Sequence, residues 1–221
     1  MKKLKETYIP LLFMLTIPIS NIFYKILNTS ERGVYSLSTE FDSKIPFIKE
    51  FIIPYIIWYP FIFIFMIYIC FKDKKAYYRT LISLNLGLII CYVIFYFYQT
   101  TVIRPEVAGN DIFSSIVKII YNNDNPYNCF PSVHVITTFI VMKGVQIATD
   151  NKLILKLVNI IGILIIISTQ FVKQHVILDL LSGIILGETV FAISMLGIYR
   201  EGVLWKKKQF SWSMMKKKLE G

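Results

Sequence analysis

Six stretches of this chain, at 8–27, 51–71, 81–98, 133–149, 153–169 and 176–199, are so poor in charge that water is an unlikely solvent for them. Each approaches the roughly 20 apolar residues that an α-helix needs to cross the hydrocarbon layer of a bilayer. Inside that layer every backbone N–H and C=O must be bonded within the chain, so an isolated apolar run has one regular solution, a helix. With 221 residues in all, 55% of them hydrophobic and 17% charged, little mass is left outside these runs. The predicted fold class is therefore all-α: one membrane-embedded domain over residues 1–221, built as an integral six-helix bundle. The first run is too long, and too poor in small residues at its end, for a cleaved signal peptide, and is read as a retained helix. Pro10, Pro18, Pro54 and Pro60 are read as kinks that neighbouring helices can tolerate.

A net charge of +10 would suggest nucleic acid in a water-soluble protein, but here the cations cluster at alternate helix ends. Lys2, Lys3 and Lys5 precede the first run. Lys72, Lys74, Lys75 and Arg79 join the second to the third, Lys152 and Lys156 join the fourth to the fifth, and "WKKKQFSWSMMKKK" follows the sixth. The positive-inside rule puts these segments, and with them both termini, in the cytoplasm. The intervening loops carry Glu31, Glu40, Asp42, Glu50, Glu106, Asp111 and Asp124 and face outward. No nucleic-acid partner follows. The tail, with Trp205, Phe210 and Trp212 among lysines, is either an interfacial segment on anionic lipid or a solvated basic end.

Cys70, Cys91 and Cys129 are scattered, with neither disulfide nor zinc spacing. Ionisable groups at membrane depth are costly and mark function. The only two histidines, His134 in "NPYNCFPSVHVITTF" and His175 in "KQHVILDLLSG", open the fourth and sixth runs on the outward side, where Arg104 in "VIRPEV" also falls. His175 and Asp179 are four apart and share a helix face. A carboxylate so placed can accept the imidazole N–H and raise the basicity of the other nitrogen, which prepares a nucleophile.

These residues resemble the type 2 phosphatidic acid phosphatase superfamily. Its signature is Lys, six residues, Arg-Pro; then Pro-Ser-Gly-His; then Ser-Arg, five residues, His, three residues, Asp. Here the parts read Arg104-Pro105 with Phe97 at the lysine position, Pro131-Ser132-Val133-His134, and Ser168-Thr169 followed by His175 and Asp179. The resemblance implies that His175 attacks phosphorus to give a phosphohistidine and that Asp179 orients it. It further implies that His134 protonates the leaving oxygen, and that Arg104 and Ser132 hold the phosphate. Phe97 and Thr169 remove two cations. Lys173 either replaces one of them or is an interfacial lysine reaching water. A neutral residue at Thr169 is similar to the sphingomyelin and inositol phosphorylceramide synthase branch, which transfers a phospho-head group to an alcohol.

The expected function is hydrolysis of a phosphomonoester or diphosphate lipid at the outer face of the cell membrane. Head-group transfer is the alternative, and a transporter or proton path is a rival from another class. A cysteine phosphatase is excluded, since Val135 stands six after Cys129 where an arginine is required. No metal or other cofactor is implied, and the expected partners are a lipid phosphate and the surrounding lipid, with the oligomeric state open. Ile112, Ile116, Ile119 and Ile120 have helical spacing and suggest an interfacial helix that either guides lipid or caps the bundle. Lys143 and Glu188 fall at similar depths and either pair or reach the cytoplasmic interface separately.

Overall fold

The computed structural model describes residues 8–194; the basic N-terminal lysines, the end of the sixth run and the Trp205–Trp212 tail lie outside the described residues. Among the described residues five helices are long and apolar enough to cross a membrane: α1 (Tyr8–Leu27), α3 (Ile52–Lys72), α4 (Lys74–Phe97), α7 (Lys152–Phe171) and α8 (Ile177–Ser194). A sixth apolar helix, α6 (Val133–Ala148), has 16 residues and is shorter than the others. Two further helices lie outside these runs, α2 (Glu40–Lys44) and α5 (Ile112–Asn123). A minimal parallel ladder joins β1 (Tyr35–Ser36) to β2 (Thr100–Thr101). Among the described residues the chain is predominantly helical, as the hydropathy required.

Local chemistry sets the helix ends. Asp73 alone separates α3 from α4, and its carboxylate accepts from the N–H groups of Lys75 and Ala76. The third apolar run, expected at 81–98, therefore belongs to a helix that starts seven residues earlier, because hydropathy detects the apolar segment and misses the polar turns through which the helix continues. Lys74, Lys75 and Arg79 are correspondingly helical and do not form a loop. Asn151 caps α7, Ser132 caps α6 and Asp111 caps α5 in the same manner. In α1, Pro18 has no N–H for the Met14 carbonyl, and the helix tightens to a 3-10 turn at Phe13–Leu15. The amphipathic helix expected from the isoleucine spacing is α5, whose capping Asp111 also pairs with Lys49 before α3. Ile112 and Ile119 are exposed, while Val117 packs with Ile52 and Tyr55.

The short α6 occupies the middle of the bundle, in contact with α3, α4 and α7. Val135, Ile136, Ile140, Val141 and Val145 are fully buried, as befits a helix apolar on all sides. On its remaining side α8 approaches through glycines. A Cβ on Gly183 would stand 3.0 Å from the Val135 side chain and 3.2 Å from the Ser132 carbonyl oxygen, and one on Gly187 would stand 3.0 Å from Phe139. The stripe His175, Asp179, Gly183, Gly187 thus lies against α6, which positions the site at the top of that seam.

Lower on the seam Lys143 and Glu188 pair at 3.0 Å. This resolves the alternative left open by the sequence in favour of pairing, although both side chains keep partial exposure. Removing one partner leaves a lone charge with its desolvation cost uncompensated. Lys143→Met or Glu188→Gln alone is expected to lower the thermal midpoint in detergent more than the double variant does; additive losses in that cycle would show that the two act independently.

Candidate functional site

The loop between α7 and α8 builds the first half of the site. The N–H groups of Gln174 and His175 both donate to the Thr169 carbonyl, at 3.0 and 3.2 Å. Lys173 takes the left-handed φ of 51° that lets the chain turn back. His175 Nδ1 faces two acceptors, the Cys129 carbonyl at 3.0 Å and Asp179 Oδ2 at 3.3 Å. A nitrogen between a carbonyl and a carboxylate must carry the proton, so the free lone pair is on Nε2. Asp179 is fully buried; the same Oδ2 accepts the Val176 N–H at 2.9 Å, and its backbone carbonyl accepts the Ser132 N–H at 3.2 Å.

The second half comes from residues 124–134. Asn128 adopts a left-handed φ of 56°, which asparagine tolerates, and is held by the buried Gln99, whose amide oxygen accepts its N–H at 2.7 Å. That arrangement aims the Cys129 carbonyl at His175. Ser132 is fully buried, its hydroxyl accepting from Val135 N at the start of α6. His134 lies between the rings of Tyr55 and Trp58, at 4.5 and 4.1 Å between centroids, and 5.9 Å from the ring of His175. Trp58 is fixed by donating to Thr137 at 2.8 Å.

Arg104 reaches the same region along β2's exit. Its guanidinium donates to the carbonyls of Asp124 at 2.6 Å, Asn125 at 3.3 Å and Tyr121 at 3.4 Å, and to Gln174 Oε1. The Nε–H of Arg104 is buried and has no partner. Because Gln174 turns its oxygen to Arg104, its NH₂ lies on the other side, and Nε2 is likewise buried without a partner. Both atoms are closed off, with essentially no accessible surface. The sequence did not single out Gln174, although it immediately precedes His175, nor Tyr55 and Trp58, which carry no motif.

The structure brings together His175, Asp179, His134, Ser132 and Arg104. Lys173 lies close by but is engaged elsewhere: its ammonium donates to the carbonyls of Asp42, at 2.9 Å, and Ile45. Desolvation lowers its pKa, against the opposing charge of Asp42. Phe97, in the lysine position, is 79% exposed on the end of α4, whereas Thr169 is fully buried and organises the His175 turn through its carbonyl. Asp124, counted in the sequence only as an outward-facing charge, accepts from Asn28 at 2.8 Å and Tyr24 at 3.1 Å. Burial pushes its carboxyl up, against the opposing charge of Arg104. Cys129, His175 and Asp179 place potential metal ligands within 4.8 Å of one another. Burial pushes the Cys129 thiol well above its ordinary value, however, and a protonated thiol is a poor ligand.

Two cavities meet this pair of histidines from different sides. One, of about 380 Å³, is lined by His175 with Lys173, Val102, Ile103, Phe47 and Ser38. The other, of about 450 Å³, is lined by His134 with Tyr55, Trp58, Asn28, Asp124 and Tyr24. The sequence profile of the PAP2 superfamily matches residues 47–193, which hold every motif residue just placed. The chain belongs to the PAP2 superfamily. No curated protein and no solved structure matches it. Both cavities take part of their lining from residues before the matched span, Ser38 in one and Tyr24 and Asn28 in the other.

Arg104→Lys keeps the charge but replaces a planar fork by a point donor. At least two of the four acceptors lose their partner, and the expected loss is roughly 2 to 6 kcal/mol of stability, at 1 to 3 for each stranded group. Thermal or denaturant unfolding in detergent checks this.

Proposed function

We propose that this PAP2 protein cleaves a phosphate ester of a lipid through a phosphohistidine on His175. The observation that carries the reading is the commitment of His175 Nδ1 to the Cys129 carbonyl and to Asp179, which leaves Nε2 as the nucleophile. Nε2 attacks phosphorus, the ester P–O bond breaks, and His134 gives its proton to the departing oxygen. Asp179 stabilises the positive charge that develops on His175. Arg104 places a positive charge beside the phosphoryl group, with Ser132 and the start of α6 adding the positive end of a helix dipole. Water then attacks phosphorus and releases the histidine, which makes the enzyme a phosphatase.

A second reading has an alcohol in place of water, giving a phosphotransferase. The neutral Thr169 and the two separate cavities favour it, since a transfer enzyme must accommodate a donor and an acceptor.

The chain crosses the membrane six times in this reading, with α6 as the shortest crossing and both termini in the cytoplasm. The site lies at the end of the bundle opposite the lysine-rich turns at 72–75 and 152–156, hence on the extracytoplasmic face. Lipid phosphates are presented at that depth.

Three measurements test the reading. His175→Ala abolishes turnover, and Asp179→Asn lowers kcat by about ten-thousandfold, as when a histidine loses its orienting carboxylate in other sites; near-normal turnover by His175→Ala would refute the phosphohistidine. His134→Ala is expected to slow cleavage of a lipid alkyl ester far more than that of a nitrophenyl phosphate, whose leaving group needs no acid; equal losses would make His134 a positioning residue. Cysteines placed beside Arg104 and His175 should react with impermeant thiol reagents from outside intact cells, and one near Lys74 should not; the reverse pattern would invert the topology.

A further inference from the structure

The cavity beside His134 does not end at the polar residues around it. Asn21, Trp58, Tyr59 and Val133 also line an adjoining, narrower slot of about 60 Å³, set among α1, α3, α4 and α6. The chemistry of the walls changes from the one to the other. Asn28, Asp124, Asn125 and His134 border the cavity, whereas Ile17, Pro18, Ile62, Leu84 and Leu88 border the slot. Two helices give the same order independently as they run inward. On α1 the lining passes from Asn28 and Tyr24 through Asn21 to Pro18 and Ile17, and on α3 it passes from Tyr55 through Trp58 to Ile62. At helical rise these paths are roughly 16 and 10 Å long.

The slot opens on the outside of the bundle because α1 and α3 scarcely touch: α1 packs on α4 and α4 on α3, with almost no direct contact between the first and the last. Ile62, Leu84 and Leu88 are buried at its inner end, whereas Pro18 and Tyr59 at its mouth are exposed. In a bilayer no hydrophobic force closes such a gap, since lipid chains are as apolar as the side chains on either side. A polar chamber at the reacting groups with an apolar slot one to two turns deeper has the chemistry of an amphiphile, head and chain in that order.

We propose that the alcohol departing on the His134 side is the lipid part of the substrate, and that its hydrocarbon chain enters sideways from the bilayer between α1 and α3 to lie in this slot. This rests on the phosphohistidine reading, which puts the leaving oxygen beside His134, and adds to it a chain-binding wall on α1, a helix that precedes the matched span 47–193. As the N–P bond to His175 Nε2 forms, the P–O bond to the lipid oxygen breaks and His134 gives that oxygen its proton. The lipid alcohol withdraws along the slot, and the phosphoryl group stays on His175. Water in the vacated place attacks phosphorus, its proton passes to His134, and the N–P bond breaks. Ile17 and Leu88, on different helices, are thereby specificity-determining residues for the chain.

The test uses the purified full chain in dodecyl maltoside micelles with hexadecyl phosphate carrying a photoreactive diazirine midway along its chain. Peptide mapping after illumination is expected to find the label in segments 17–21 and 58–63, suppressed by excess unlabelled hexadecyl phosphate and not by butyl phosphate, whose chain is too short to enter. Label spread along the outward face of α1, at Leu12, Phe23 and Ile26, and indifferent to the competitor overturns the proposal, because ordinary contact with bulk chains gives that pattern. Ile17→Phe and Leu88→Phe fill the slot from two sides. Each is expected to lower kcat/KM for hexadecyl phosphate relative to butyl phosphate by at least about tenfold, which displacement of roughly two buried methylenes supplies. An unchanged ratio in both folded variants also overturns it. His175→Ala is expected to keep the label while losing turnover. If neither phosphate is turned over by a route that His175→Ala removes, the phosphohistidine reading fails, whereas the labelling, which needs no turnover, still decides the slot.

Discussion

The carboxylate of Asp179 is the point on which the site depends. One oxygen receives the His175 imidazole and the Val176 N–H, while the backbone carbonyl of the same residue receives Ser132 N–H from the start of α6. A single residue therefore fixes the tautomer of His175, the first turn of α8 and the distance between α8 and α6. The geometry is possible only because Gly183, one turn further down, lets the Ser132 carbonyl come within 3.2 Å of where a Cβ would be. The orientation of the histidine and the packing of the helices are two results of one close approach.

Around that centre the chain uses neutral donors and backbone groups where a more strongly charged site would use cations. Arg104 has a structural task, tying the carbonyls at the end of α5 to Gln174, and its remaining N–H is buried without a partner. The segment between α1 and α3 completes the arrangement: Asp42 accepts the Ile177 N–H at 2.8 Å, and its backbone carbonyl receives Lys173. The loop before α8 is thus held from both sides, and its left-handed residue at Lys173 is stabilised by contacts distant in sequence.

Much of this was legible in the sequence. The run at 8–27 has the bounds of α1, and that at 133–149 differs from α6 by one residue, because apolar length and a Ser cap at Ser132 are local signals. His134, His175, Asp179 and Arg104 were found as rare ionisable groups at helix ends, and they do converge. The start of α4 was missed because a capped polar turn is invisible to hydropathy. Gln174 and Asp124 were missed for a different reason. Their importance lies in partners 70 and 96 residues away, Arg104 for one and Asn28 for the other, and no local pattern reports such pairs. Lys173 illustrates the converse: its position suggested either a phosphate ligand or an interfacial lysine, but the segment between α1 and α3 supplies carbonyls that the sequence could not place.

The first helix has a bearing on how the protein behaves outside a membrane. Most of α1 faces away from the bundle, with Leu12, Phe13, Ile19, Phe23 and Ile26 half or more exposed. Its polar ties sit near its two ends: Tyr77 Oη donates to the Pro10 carbonyl, Tyr24 and Asn28 donate to Asp124, and the carbonyls of Tyr24, Leu27 and Asn28 accept from Asn128, Gln99 and Asn125. Yet Asn21, Tyr24 and Asn28 from this helix form one wall of the cavity beside His134. That wall is held by hydrogen bonds to Asp124, Asn125 and Asn128, whereas the apolar outer face of the helix is left to the surrounding acyl chains. The amphiphile chosen for purification is consequently a structural component of the protein: its tails stand in for acyl chains along the outer face of α1, while the hydrogen-bonded wall of the cavity and the buried seam between α6 and α8 stay intact.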